Sequence, residues 1–190
     1  MGKIVNIVEL YGSSDIDERI NILIVHYTKI EKLLDGCEQN LGFLVRQAKA
    51  RQLSQNRGEL GVRVQTSVLN DSTYNEVVSN IEVKKAIAER DYRFLRDYLE
   101  DDETMAIVRR ELSCIDDMRE DFQTFKNCFD YLDDDNAKMY ETYLNCGRKT
   151  EKSSYEYDVK PRTFKAQMHR AKCVVVEQTG LELRRKYCCV

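Results

Sequence analysis

Proline occurs once and tryptophan not at all in this 190-residue chain, and long β-branched runs are scarce. That leaves little material for a sheet and directs the expectation to an all-α fold. No apolar run reaches 18 residues, which excludes a membrane-crossing helix. Met1 to Leu10 lacks the basic stretch, apolar core and small-residue cleavage site of a secretory leader, so the protein is expected to remain cytoplasmic. No Cys-x-x-Cys pair is present, and the seven cysteines are an odd number without regular spacing, so neither a zinc site nor a disulfide framework is indicated and the thiols read as reduced. Neither common glycine-rich phosphate loop occurs.

Charge of one sign is scarce only locally. The whole chain carries a net charge of −3, but Asp97 to Asp135 holds 14 acidic and 4 basic residues, net −10. Asn145 to Val190 holds 11 basic and 5 acidic residues, net +6. A basic block closing an otherwise acidic chain is the compositional pattern of an end that faces nucleic acid.

What is present in quantity is helical periodicity. Ile16, Ile20, Leu23, Tyr27, Ile30, Leu34, Cys37, Leu41, Leu44 and Ala48 alternate spacings of four and three, an uninterrupted heptad seam. Ser13, Ser14 and Asp15 precede it as cap candidates. A single helix over the seam would be a rod of about 54 Å at roughly 1.5 Å per residue, with Gly36 or Gly42 as the expected site of any bend. A second run places Met105, Val108, Leu112, Ile115, Phe122 and Phe129 on one stripe with Met118 and Phe125 beside it. Two rods of similar length predict a helical hairpin or bundle, and self-association through the first rod is the alternative. Between them, Gln55 to Asp71 breaks the pattern. Gly58 and Gly61 flank a short alternation at Val62, Val64 and Thr66 that reads as a loop or an isolated strand. Helical spacing resumes from Ser72 through Leu99.

No catalytic constellation assembles. His26 and His169 have no nucleophile and orienting carboxylate near them in sequence. The acidic triplets at 101–103 and 133–135 stand where helix caps and dipole partners belong. His169 and Cys173 form a lone pair without further ligands. The chain is therefore read as a non-enzyme without metal or cofactor.

Residues 132–176 are different. A helix from about Asp135 to Asn145, burying Ala137, Tyr140, Tyr143 and Leu144, ends at Gly147. A second, short helix begins near Thr150. Asp158-Val159-Lys160 then forms a tight turn, and Pro161 opens a third helix at the position where its missing N–H costs nothing. That helix buries Phe164, Met168, Ala171 and Val175 and presents Arg162, Lys165, Ala166, His169 and Lys172 on the opposite face. An apolar stripe backed by basic and small residues is what a helix entering the major groove requires. Arg162 suits guanine edges or phosphate, Lys165 and Lys172 suit backbone charge, and Lys160 with the first N–H groups suits phosphate anchoring.

The run Tyr157-Asp158-Val159-Lys160-Pro161-Arg162-Thr163-Phe164, with Arg170-Ala171, resembles the signature of sigma factor region four. The wider layout is similar to small phage regulators of the RinA and ArpU type. The strong part of the resemblance covers about Leu132 to Gly180. It implies a sigma-like helix-turn-helix, activation of late phage genes, and DNA-facing roles for Thr163 and Arg170 beside the residues above. The chain departs from the pattern with Ser153-Ser154 for an Ile-Ala pair, Asp158 for glycine and Lys160 for serine.

The expected organisation is a helical N-terminal part over residues 1–131 for self-association or partner binding, a DNA-binding helix-turn-helix over 132–183, and a tail over 184–190. The expected function is a sequence-specific DNA-binding transcriptional regulator of phage or prophage type, working as a homodimer on double-stranded DNA. RNA polymerase or another host protein is a further expected partner, and no membrane is involved. The alternative is a phage-encoded helical interaction module or inhibitor of a host nucleoprotein complex whose sigma-like domain no longer reads DNA.

Overall fold

A computed structural model describes residues 6–56, 72–99 and 101–188, and among these every regular element is a helix. In chain order the α-helices are α1 (Ile7–Ser13), α2 (Ile16–His26), α3 (Ile30–Asn56), α4 (Ser72–Glu89), α5 (Tyr92–Leu99), α6 (Asp102–Asn127), α7 (Asp134–Asn145), α8 (Thr150–Glu156) and α9 (Pro161–Cys188). One 3₁₀ turn, Cys128–Tyr131, follows α6. No helix among the described residues is long and apolar enough to cross a membrane. The glycine-flanked alternation at Val62, Val64 and Thr66 lies outside the described residues.

Short polar side chains start several of these helices by accepting from otherwise unsatisfied N–H groups. Asn6 accepts from the amide of Val8 at 3.1 Å, Asp15 from Glu18 at 2.8 Å and Asp133 from Asn136 at 2.9 Å. Asp101 does the same for Glu103 at 3.1 Å.

Six positions of the heptad seam, Ile20, Leu23, Tyr27, Ile30, Leu34 and Leu41, are buried within the single chain, whereas Ile16, Cys37, Leu44 and Ala48 are half-buried. The seam is not one rod. The helix breaks at residues 27–29, where Lys29 donates to the carbonyl of His26 at 2.8 Å instead of one residue earlier. Neither Gly36 nor Gly42 marks the break, since both lie inside α3. Instead the ring of Tyr27 sits among Phe122, Phe125 and Phe129, with centroids at 5.5, 6.2 and 6.2 Å. The second stripe is buried throughout, from Met105 to Phe125 on α6 and on to Phe129.

The chain divides into two compact units: residues up to Leu33 with Cys114 onward, and Leu34 to Ser113. The expected boundary at 131/132 therefore falls inside the first unit. Residues 184–188 continue α9, and the rest of the expected tail lies outside the described residues.

In the first unit, aromatic rings make a continuous chain. Tyr27 stacks on Phe129, which meets Tyr140 at 5.5 Å, then Tyr143, Phe164 and finally Tyr157. Each such contact adds on the order of 1 kcal/mol beyond area burial. The same unit contains a fully buried carboxylate, Asp121. It accepts from the hydroxyls of Tyr11 at 2.7 Å and Tyr187 at 3.0 Å, and from the Lys186 ammonium at 2.9 Å. Burial and the adjacent carboxylate push the Tyr11 phenol far above its ordinary range.

The second unit buries Leu41, Val45, Val83, Ala86, Ile87, Leu95, Leu99 and Leu112. Its helix α4 ends with Arg90 in the left-handed region, φ +58°, with Asp91 donating to Ala86 and Arg90 to Ile87. The Arg90 side chain pairs with Glu38 at 2.7 Å, both half-buried.

Candidate nucleic-acid interface

The site is built from α7, the short α8 and the first half of α9. Helix α7 buries Met139, Tyr140 and Leu144 and stops where Gly147 takes φ +66°. Arg148 donates to Tyr143 and Gly147 to Leu144, the paired bonds of a Schellman stop. Helix α8 begins at Thr150, and its cap position is Lys149, which makes no side-chain cap bond. Thr150, a residue of the type that often caps a helix, is here the first residue of the helix itself.

Ser153 and Ser154 are buried although both carry hydroxyls. Their protons are returned to the helix itself, Ser153 to the carbonyl of Lys149 and Ser154 to that of Glu151, each at 3.1 Å. Satisfied in this way, the small side chains sit where α8 packs on α9. The serine pair therefore leaves no unpaired buried group.

The turn follows from backbone conformation. Asp158 takes φ +51°, with Val159 donating to Ser154 and Asp158 to Tyr155, a second Schellman stop. Aspartate tolerates this region better than most residues, and glycine better still. Tyr157 caps α8 and is held on both sides. Its hydroxyl bonds that of Thr142 at 2.9 Å, and its ring stacks on Phe164 at 6.4 Å. Pro161 is the first residue of α9, as its fixed φ suits, and Phe164 donates back to Lys160.

Beyond the turn, α9 has the two faces that its spacing requires. Phe164, Met168, Ala171 and Val175 are buried. Lys160, Arg162, Thr163, Lys165, Ala166, His169, Arg170 and Lys172 are all exposed. Among the described residues, none of the cations at 160, 162, 165, 170 and 172 forms an ion pair. Their charges face solvent uncompensated. His169 Nε2 and Cys173 Sγ lie 4.0 Å apart on this face, and no third metal-ligating group joins them among the described residues.

Sequence reasoning passed over three neighbours. Arg148 and Lys152 are exposed, and Tyr155 is 90% exposed on α8. Helical spacing could have found the last two: Lys152 and Tyr155 stand three apart, on the face opposite the buried serines. The field of Arg148 is felt in the fold. Burial first, then the Lys29 and Arg148 charges, hold the His26 imidazolium below its ordinary pKa.

Chemically, the arrangement can bind polyanions. It offers five cations on and beside one helix that form no ion pair among the described residues, a preorganised turn and an aromatic-packed base that fixes the helix's orientation. No protein-family model, curated protein or solved structure matches the chain.

Proposed function

We propose that this protein is a sequence-specific, DNA-binding transcriptional regulator of the phage type, reading the major groove with the first half of α9. The reading rests on one observation: an exposed face of unpaired cations set opposite a fully buried stripe on a helix that opens with proline after a tight turn. Arg162 and Thr163, one and two residues into α9, are the base-reading positions. Lys160, Lys165, Arg170 and Lys172 contact phosphate and set register. Ala166 and His169, on the central line of the face, allow close approach to the groove.

Binding energy is the whole mechanism. Each phosphate neutralised releases counterions, so affinity falls steeply with salt, by about 0.9 in log–log slope per contact. The centre of the heptad seam is buried within the chain, which favours another surface for pairing two half-sites.

The test is selection of bound fragments from random and native genomic DNA at two salt concentrations, for the wild type and Arg162→Ala/Lys165→Ala. Recovery of a defined site by the wild type alone is expected. Retention of no DNA by either protein at low salt overturns the reading and leaves the helical interaction module in its place.

A further inference from the structure

The second unit gathers three arginines around one small cavity. Helix α5 buries Leu95 and Leu99 and leaves Arg93 and Arg96, three residues apart, exposed. Helix α6 brings Arg109, and the three arginines line a cavity of about 410 Å³ together with Tyr92 and Asp97. The Arg109 guanidinium carbon stands over the Tyr92 ring, 5.6 Å from its centroid, which ties this arginine of α6 to α5.

These cations lack the partners that other arginines of the chain have. Arg90 is paired with Glu38 in the same unit, and Arg184 with Asp17 in the other. Among the described residues, none of Arg93, Arg96 and Arg109 forms an ion pair, and neither does Asp97. Three cations and one carboxylate leave the lining with a net charge of +2. Like charges around one cavity repel each other, so an anion that enters it relieves that repulsion.

The lining also selects among anions. A guanidinium fork matches phosphate and carboxylate oxygens in pairs. A phosphate monoester carries a charge of about −1.5 to −2 at pH 7 and three acceptor oxygens, enough for three arginines. A carboxylate brings a single charge, and so does each phosphodiester of a nucleic-acid strand. Asp97 narrows the choice further. Its carboxylate can only accept, so beside a bound phosphate it is favourable where the same ligand offers a hydroxyl to donate.

We infer that this cavity binds a small phosphate monoester bearing hydroxyl groups, of the sugar-phosphate or nucleotide class. The phosphate takes Arg93, Arg96 and Arg109, and a ligand hydroxyl donates to Asp97.

The test titrates the full chain in phosphate-free buffer with ribose 5-phosphate, adenosine 5′-monophosphate, inorganic phosphate, ribose and glutarate. Arginine side-chain N–H signals are followed by NMR and affinities by calorimetry. The two esters should shift the signals of Arg93, Arg96 and Arg109 and bind at least about tenfold more tightly than ribose or glutarate. Arg93→Ala/Arg96→Ala and Arg109→Ala should each weaken them at least about tenfold. Asp97→Asn should tighten inorganic phosphate and reduce the advantage of the esters over it, a pair of changes that a merely structural role for Asp97 would not produce. All four positions are exposed, so an unchanged unfolding midpoint is expected and separates lost binding from lost folding. Arg162→Ala/Lys165→Ala should leave ester binding untouched, which keeps this inference independent of DNA binding. It is overturned if the esters bind no better than glutarate or if their binding survives the arginine substitutions. It is also overturned if Arg93→Ala/Arg96→Ala weakens a DNA duplex as much as Arg162→Ala/Lys165→Ala does, which would assign the cavity to the nucleic-acid backbone.

Discussion

At its N-terminal end α9 presents Arg162, Lys165, Arg170 and Lys172 to solvent without an acidic partner among the described residues, whereas at its C-terminal end every cation is engaged. Arg184 meets Asp17 at 3.3 Å, Arg185 meets Glu182 at 2.8 Å, and Lys186 lies within 4 Å of Asp117, Glu120 and Asp121. Counted along the sequence, both ends belong to the same basic block. In the fold they are opposites. Charge on a stretch of chain does not say what a ligand meets, because nearby carboxylates cancel the field within a Debye length of about 10 Å. The exposed bridges of Arg184 and Arg185 add little stability, and their effect is to remove charge from the surface. The stretch that remains is Arg148 to Lys172, where eight cations stand against three carboxylates, net +5.

The largest effect should come from breaking the engaged end. Asp121→Ala leaves the hydroxyls of Tyr11 and Tyr187 without their acceptor and removes one of the three carboxylates around Lys186, a loss of about 3 kcal/mol. Calorimetry should show the unfolding midpoint falling by roughly 6–12 °C for a chain of this size. An unchanged midpoint would mean the cluster carries no stability. Next in size is the open end. Arg162→Ala/Lys165→Ala should reduce DNA affinity on the order of 100-fold and lower the salt slope by about 2, while Arg184→Ala/Arg185→Ala should change neither by much. Equal losses from the two pairs, read by titration at several salt concentrations, would erase the contrast between the ends.

A smaller effect sharpens the same contrast. Asp158→Gly relieves a positive φ and removes a carboxylate beside the open end, so stability should rise by about 0.5 kcal/mol and DNA affinity should increase slightly. A lowered midpoint would assign the Asp158 carboxylate a structural bond of its own. The smallest effect lies in pH. His26 in the fold binds its proton less readily than at its ordinary pKa of 6.5, so the unfolded chain takes up more protons in that region. Stability should therefore decline as pH falls from 6.5 toward the folded value and level off below it. His26→Gln should flatten that part of the curve in chemical denaturation measured across pH, and a curve of unchanged shape would show that His26, held down by burial first and then by Lys29 and Arg148, is not the group behind it.

Much of this was legible because it depends on local rules. The stripe Phe164, Met168, Ala171 and Val175 needs only a helical period to be found, and Pro161 and Gly147 announce a helix start and stop by their backbone chemistry. The exposed face of α9 follows once the buried one is known. Less legible were the Ser153-Ser154 pair, whose hydroxyls look unfit for burial until their bonds to the preceding turn are seen, and Asp158, whose φ no composition reveals. The bend in the first helix was misplaced for a similar reason. A glycine search points to positions 36 and 42, but the break stands at Tyr27, where three phenylalanines from the far end of α6 and the turn after it surround the ring.

The sequence by itself determined the all-α class, the identity of the apolar stripes and the place of the turn before Pro161, because periodicity, capping and proline geometry act within a few residues of one another. Only the tertiary structure decided that the centre of the heptad seam is buried within one chain, that the last turn of α9 is anchored rather than loose, and which cations of the basic block stay free. Those outcomes depend on residues that are far apart in sequence, Asp121 with Tyr11 and Lys186 above all, and no local pattern encodes which distant carboxylate a given cation will meet.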